Sequence, residues 1–146
     1  MSLLQTALIV DDNEPLADTL ARALRGVGFD TRTAHNGQQG YSSFFRNPTD
    51  WVITDIEMPD ITGIEMMRCI RGVNPAVRTI YMTGAVDQYG RVLNREARQF
   101  AAKVLSKPFD LNRLVEQMKN TQDPALEPAI QLCRSNPAPR AFWGSR

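Results

Sequence analysis

The sequence predicts an α/β protein in which a parallel five-stranded sheet carries helices on both faces. Two observations predict it. Short apolar runs alternate with helix-spaced amphipathic stretches five times along the chain. The acidic, hydroxyl and basic residues able to do chemistry cluster where those runs stop. Right-handed crossovers leave few ways to assemble such a sheet.

Each element follows from its own pattern. Ala7 to Val10 is a continuous apolar run, as in a strand buried on both faces. Asn13 suits a helix cap and Pro15 a first turn, and Leu16, Leu20, Ala23, Leu24 and Val27 recur at helical spacing before Gly28. Phe29 to Ala34 is a second short strand, and Asn36-Gly37 reads as a turn. Tyr41, Phe44 and Phe45 give the next helix an apolar face. Trp51 to Thr54 is a third strand ending on Asp55, and Gly63 to Ile70 a helix with Ile64, Met67, Cys69 and Ile70 mostly on one side. Val77 to Met82 is a fourth strand ending at Thr83-Gly84. A polar helix fills Val86 to Phe100, with Arg91, Arg95 and Arg98 on one solvated face. Ala101 to Ser106 is a fifth strand ending at Lys107-Pro108, and Leu111, Leu114, Val115 and Met118 make a last amphipathic helix. One domain over residues 4–120 is therefore expected. Residues 121–146 hold four of the nine prolines and read as a tail or linker stub with room for one short helix.

Composition narrows the function. The chain has 146 residues and a formal charge of +1, without the basic footprint of a nucleic-acid binder. No apolar run approaches the ~20 residues of a membrane span, and the start lacks the pattern of a secretory leader. With only Cys69 and Cys133, a disulfide framework is not expected, and a reducing cytoplasm is. The lone His35 reads as a surface residue.

The placement of polar residues carries more. Asp11 and Asp12 follow the first strand, Asp55 ends the third, Thr83 the fourth and Lys107 the fifth. In a parallel sheet these carboxyl ends share one edge, where ligands bind at the switch point of strand order. In the order 2-1-3-4-5, strands one and three are neighbours there, and Asp11, Asp12 and Asp55 converge. Two carboxylates ~4 Å apart repel by about 1 kcal/mol in water and about 4 kcal/mol at an effective dielectric of ~20. Lys107 cancels one charge; the remainder asks for a hard cation such as Mg²⁺, which takes one or two carboxylates beside phosphate oxygens. A carboxylate can attack phosphorus to give an aspartyl phosphate, with metal, lysine and hydroxyl stabilising the phosphoryl oxygens. No Gly-rich cradle follows any strand, so a bound nucleotide is not expected.

Four segments in order resemble one family. "LIVDDNEP" (8–15), "VITDIEMPDITG" (52–63), "YMTG" (81–84) and "LSKPF" (105–109) are similar to the motifs of the receiver domain of two-component response regulators. The resemblance covers roughly Ala7 to Asn120 and implies a flavodoxin-like doubly wound sheet. It also implies a signalling switch in which Asp55 accepts a phosphoryl group from a sensor histidine kinase or phosphotransfer protein. Asp11, Asp12, Asp55 and the backbone carbonyl of Glu57 would hold Mg²⁺. Thr83 would bond the phosphoryl group and Lys107 would pair with it. The receiver would catalyse only its own phosphorylation and dephosphorylation, rather than act as an enzyme on other substrates. A homodimer through the face of helix four, strand five and helix five is implied, with no direct nucleic-acid or membrane binding by this segment. Two features depart from the family: Val104 stands where an aromatic is usual, and Arg98-Gln99-Phe100-Ala101 replaces the usual Gly-Ala turn before strand five. They motivate an alternative, a receiver-like interaction or dimerisation module that works without phosphorylation. A phosphatase of the haloacid dehalogenase type shares the chemistry but places a second Asp two residues after its nucleophile, a spacing that Asp11-Asp12-Asn13 does not match.

Overall fold

In a computed structural model the described residues are 4–120. They fall into two units, one reaching Lys107 and one beginning at Pro108, each taken by itself. The first unit contains β1 (Thr6–Val10), α1 (Glu14–Gly26), β2 (Asp30–Ala34), α2 (Gly37–Arg46), β3 (Trp51–Asp55), α3 (Gly63–Val73), β4 (Arg78–Thr83), α4 (Val86–Phe100) and β5 (Lys103–Ser106). The sheet is parallel throughout, in the order β2-β1-β3-β4-β5. This is the flavodoxin-like, doubly wound arrangement that the strand–helix alternation asks for. In the second unit α5 (Leu111–Asn120) follows Asp110, which accepts the N–H of Asn112 at 3.0 Å, and Leu114 and Met118 are buried. The tail assigned to residues 121–146, with its possible short helix, lies outside the described residues.

The core sits where the apolar runs placed it. Ala7, Leu8, Ile9, Val10, Val52, Ile53 and Ile80 are fully buried, which strands achieve only when both faces of the sheet are covered. Among the described residues, no helix is long and apolar enough to cross a membrane.

Helix ends explain how the chain leaves the sheet edge. Asn13 accepts the N–H of Leu16 at 3.1 Å and caps α1. Thr62 and Glu65 form a reciprocal capping box at the start of α3. Asn36-Gly37 is not a free turn: Asn36 caps α2 through the N–H of Gln39 at 2.8 Å, and Gly37 is the first helical residue. Asn is a strong cap residue as well as a turn residue, and here the following helix decides.

Three other details differ from the sequence pattern. On α2 Phe44 is buried but Phe45 is 62% exposed, stacked at a tilt beside Tyr41. On α3 Met66 takes the inward place expected of Cys69, which is exposed. The fifth strand begins at Lys103 rather than Ala101, because Ala101 ends α4 in the left-handed region with φ of 57°.

Candidate functional site

The register of the sheet builds the site. β1 and β3 pair Val10 with Thr54, so Asp11 and Asp55 leave their strands side by side. β3 and β4 pair Asp55 with Met82, which sets Thr83 one residue further toward the same edge. β4 and β5 pair Thr83 with Ser106, and the N–H of Lys107 donates to the carbonyl of Thr83 at 2.8 Å. Five side chains separated by up to 96 residues, Asp11, Asp12, Asp55, Thr83 and Lys107, thus leave the carboxyl edges of β1, β3, β4 and β5.

The acids converge. One carboxylate oxygen from each of Asp11, Asp12 and Asp55 lies within 4.8 Å of the others. Asp11 is fully buried and Asp55 nearly so, while Asp12 is exposed at the mouth. The acid pair is not spent on capping, because Asn13 does that; Asp11 instead accepts the N–H of Asn13 at 2.9 Å and so turns the chain into α1. Lys107 Nζ lies 3.0 Å from Asp11 and 3.6 Å from Asp55, bridging the two. One ammonium among three carboxylates leaves an excess of negative charge in a partly buried crevice. Asp55 registers it: burial pushes its carboxyl from the ordinary 3.8 to about 6, Lys107 pulls it down, and Asp11 and Asp12 push it up. A donor set of three clustered carboxylates with uncompensated charge fits a hard divalent cation.

The backbone around Asp55 is held tightly. Gly63 N–H donates to the carbonyl of Ile56 at 2.9 Å and the Thr54 hydroxyl to the carbonyl of Asp55 at 2.8 Å. A Cβ on Gly63 would lie 2.2 Å from the Asp55 carbonyl oxygen, so only glycine lets α3 begin this close to the strand end. Thr83 is buried, and its hydroxyl oxygen accepts the N–H of Ala85 at 2.9 Å, turning the chain toward α4.

Two neighbours of the site were not among the residues expected to form it. Asp60 accepts the N–H groups of Gly37 at 2.9 Å and Gln38 at 2.8 Å, tying the loop after Asp55 to the start of α2. Burial pushes its carboxyl up, but those donors outweigh it and the net shift is downward. Tyr89 on α4 brings its hydroxyl to 3.4 Å from the carboxylate of Glu57; partial burial and then Glu57 push its phenol up. Glu57 itself is exposed, and its carboxylate does not belong to the three-acid cluster.

Comparison with known proteins agrees with this geometry. A family model described as the response regulator receiver domain matches residues 7–119. The response regulator receiver protein CpdR of Brucella abortus is 31% identical over 113 residues, covering 77% of this chain and 92% of that protein. The transcriptional regulatory protein TrcR of Mycobacterium tuberculosis is 30% identical over 112 residues, 77% of this chain but only 43% of its own length. The chain likewise spans 25% of the DNA-binding transcriptional regulator NtrC of Azospirillum brasilense. Among solved structures, the response regulator protein TrrA of Thermotoga maritima in complex with Mg²⁺–BeF is 31% identical with a TM-score of 0.68, covering 80% of this chain and 98% of that one. A CheY-like receiver domain protein from Methanospirillum hungatei shares the fold with a TM-score of 0.72 at 24% identity, covering 80% of this chain and 92% of that one.

Proposed function

The chain belongs to the response regulator receiver family, and from that premise we propose that it is a phosphorylation-activated switch with Asp55 as the phosphoacceptor. The donor is a histidine kinase or a phosphotransfer protein. The observation that carries the reading is the convergence of Asp11, Asp12 and Asp55 within 4.8 Å with Lys107 bridging two of them.

The residues divide the work as follows. Asp11 and Asp12, with Asp55 and the backbone carbonyl of Glu57, would hold Mg²⁺, a reading supported by the charge excess of the three-acid cluster. The ion, when bound, neutralises charge on the transferring phosphoryl oxygens. An Asp55 carboxylate oxygen attacks phosphorus, the bond from phosphorus to the donor nitrogen or acyl oxygen breaks, and its electron pair leaves with the donor. Lys107, already poised between Asp11 and Asp55, is within reach of the arriving oxygens. The Thr83 hydroxyl offers a further hydrogen bond at the same edge. Water reverses the modification by attacking the same phosphorus, so the chain catalyses only its own phosphorylation and dephosphorylation. Self-association through the exposed face of α4 belongs to the same proposal. Sedimentation with and without a phosphoryl mimic tests it.

Incubation with radiolabelled acetyl phosphate tests the reading as a whole. Labelling that needs Mg²⁺ and disappears in Asp55→Asn is expected. Folded wild-type protein that takes no label contradicts the proposal.

A further inference from the structure

A second polar cluster lies away from the acidic crevice, in the layer between α3, β4 and α4. Arg71 on α3, Glu96 on α4 and Tyr81 on β4 are all buried. Arg71 and Glu96 form an ion pair at 2.8 Å, and the Tyr81 hydroxyl donates to the same Glu96 oxygen at 2.5 Å. Arg71 reaches the Thr79 hydroxyl at 3.4 Å and lays its guanidinium 3.8 Å from the Phe100 ring centre. Burial pushes the Tyr81 phenol up, so it stays protonated and keeps donating. Among the described residues the Nε of Arg71 has no hydrogen-bond partner, so the cluster is not fully satisfied as it stands.

A buried ion pair of this kind is weak support for stability, since removing both charges from water offsets much of their attraction. Its position suggests another use. α4 is loosely held: its first turn has no side-chain cap, and it ends on an alanine with positive φ. Only Leu93 and Glu96 of its residues are buried, so Glu96 is one of two inward anchors. That anchor reaches β4 at Tyr81, and Thr79, Tyr81 and Thr83 share one face of the strand because strand side chains alternate. Thr83 lies at the acidic edge, and its hydroxyl already holds the turn into α4 through Ala85. The opposite side of α4 exposes Arg91, Arg95 and Arg98.

The geometry points to Tyr81 and Glu96 as positioning residues that tie Thr83 to α4, so that occupancy of the Asp55 pocket is felt on the arginine-bearing face of that helix. The inference rests on the reading of Asp55 as phosphoacceptor. When Thr83 turns toward an occupied pocket, β4 shifts at its carboxyl end, and the Tyr81–Glu96 bond passes the shift to α4, whose other inward ties are Leu93 and the contacts of Arg71 with Glu96 and Phe100. The path is two successive positions on one face of a strand, Tyr81 and Thr83, and a single short hydrogen bond.

Hydrogen exchange of the α4 amides, Val86 to Phe100, measured in the full chain with and without Mg²⁺ and beryllofluoride, tests it. Wild type is expected to change α4 exchange by at least about 5-fold on loading, the low end of ordinary coupling between sites. Tyr81→Phe keeps the ring and deletes the donor. It should still be labelled by acetyl phosphate, while its α4 response falls below about 2-fold and its beryllofluoride midpoint moves by the coupling lost, as reciprocity demands. Should that variant fail to fold, Arg71→Met combined with Glu96→Leu removes both charges at similar volume and carries the same expectation. A folded variant that keeps the wild-type α4 response overturns the inference and leaves the phosphoacceptor reading intact. So does wild type that is labelled without any α4 response. Wild type that takes no label overturns both.

Discussion

Asp55 holds its proton more tightly folded than unfolded, and that has a measurable sign. Its carboxyl rises from 3.8 to about 6 in the metal-free protein, chiefly through burial. Below about pH 3 the group is protonated in both states and contributes nothing. As pH rises toward 6 the unfolded chain ionises first, so folding stability falls across that window, by up to about 3 kcal/mol. Asp55→Asn removes this pH-dependent cost. In chelator, its urea-unfolding stability at pH 7 should exceed wild type by up to about 3 kcal/mol, and the excess should shrink on acidification and vanish below about pH 3. An equal stability for both proteins at pH 7 would show that the crevice does not strain its own carboxylate. Gly63 supplies a second residue-scale prediction. Since an added Cβ would sit 2.2 Å from the Asp55 carbonyl oxygen, Gly63→Ala must push α3 or the strand end aside. A loss of about 2 kcal/mol or more by denaturant titration is expected, in the range of overpacked core sites, together with slower labelling of Asp55.

At the scale of elements, α4 is the helix whose design departs from the others. α1, α2 and α3 each start on a side-chain cap, whereas α4 begins at Ala85 with none and stops at Ala101 in the left-handed region. An L-alanine there is strained, and glycine is not. Ala101→Gly is therefore expected to stabilise the protein by about 0.5–1 kcal/mol in urea titrations; a destabilised variant would mean that the backbone relaxes away from this conformation. By contrast Asn13→Ala, which deletes the α1 cap, should cost about 1 kcal/mol. Much of this layer was legible from periodicity. The bounds of α4, Val86 to Phe100, follow its spacing, and Asn13 reads as a cap from residue type alone. What periodicity could not show is the inward turn of Glu96 and Arg71. A charged residue on an amphipathic helix defaults to the solvent face, and only a partner brought near by another element reverses that. Cys69 and Met66 exchange places for a related reason: both are apolar at neighbouring positions, and packing chooses the more flexible thioether. The strand expected from Ala101 starts later because the helix needs that alanine for its exit.

For the whole molecule, the site exists only because topology brings distant strand ends together. Nothing within ten residues of Asp11 predicts a partner at Asp55 or Lys107. The order β2-β1-β3-β4-β5 makes them neighbours, and that order follows from alternation and handed crossovers. The acidic pair, Asp55 and the lysine were therefore readable as a set in a way that Asp60 and Tyr89 were not, since Asp60 acts through backbone N–H groups of α2 that no residue pattern names and Tyr89 meets Glu57 from a helix surface. The like charges collected at that edge work against the fold until a cation joins them. Added Mg²⁺ should raise the thermal midpoint at neutral pH in wild type by mass action, and by much less in Asp11→Ala or Asp55→Asn. An equal gain in all three would place cation binding elsewhere.

Mass-spectrometric mapping of the protein after reaction with acetyl phosphate tests the central claim most directly. The account predicts a single phosphoryl group on the peptide containing Asp55, formed only with Mg²⁺. A phosphoryl group on another residue, or none on folded protein, would contradict it.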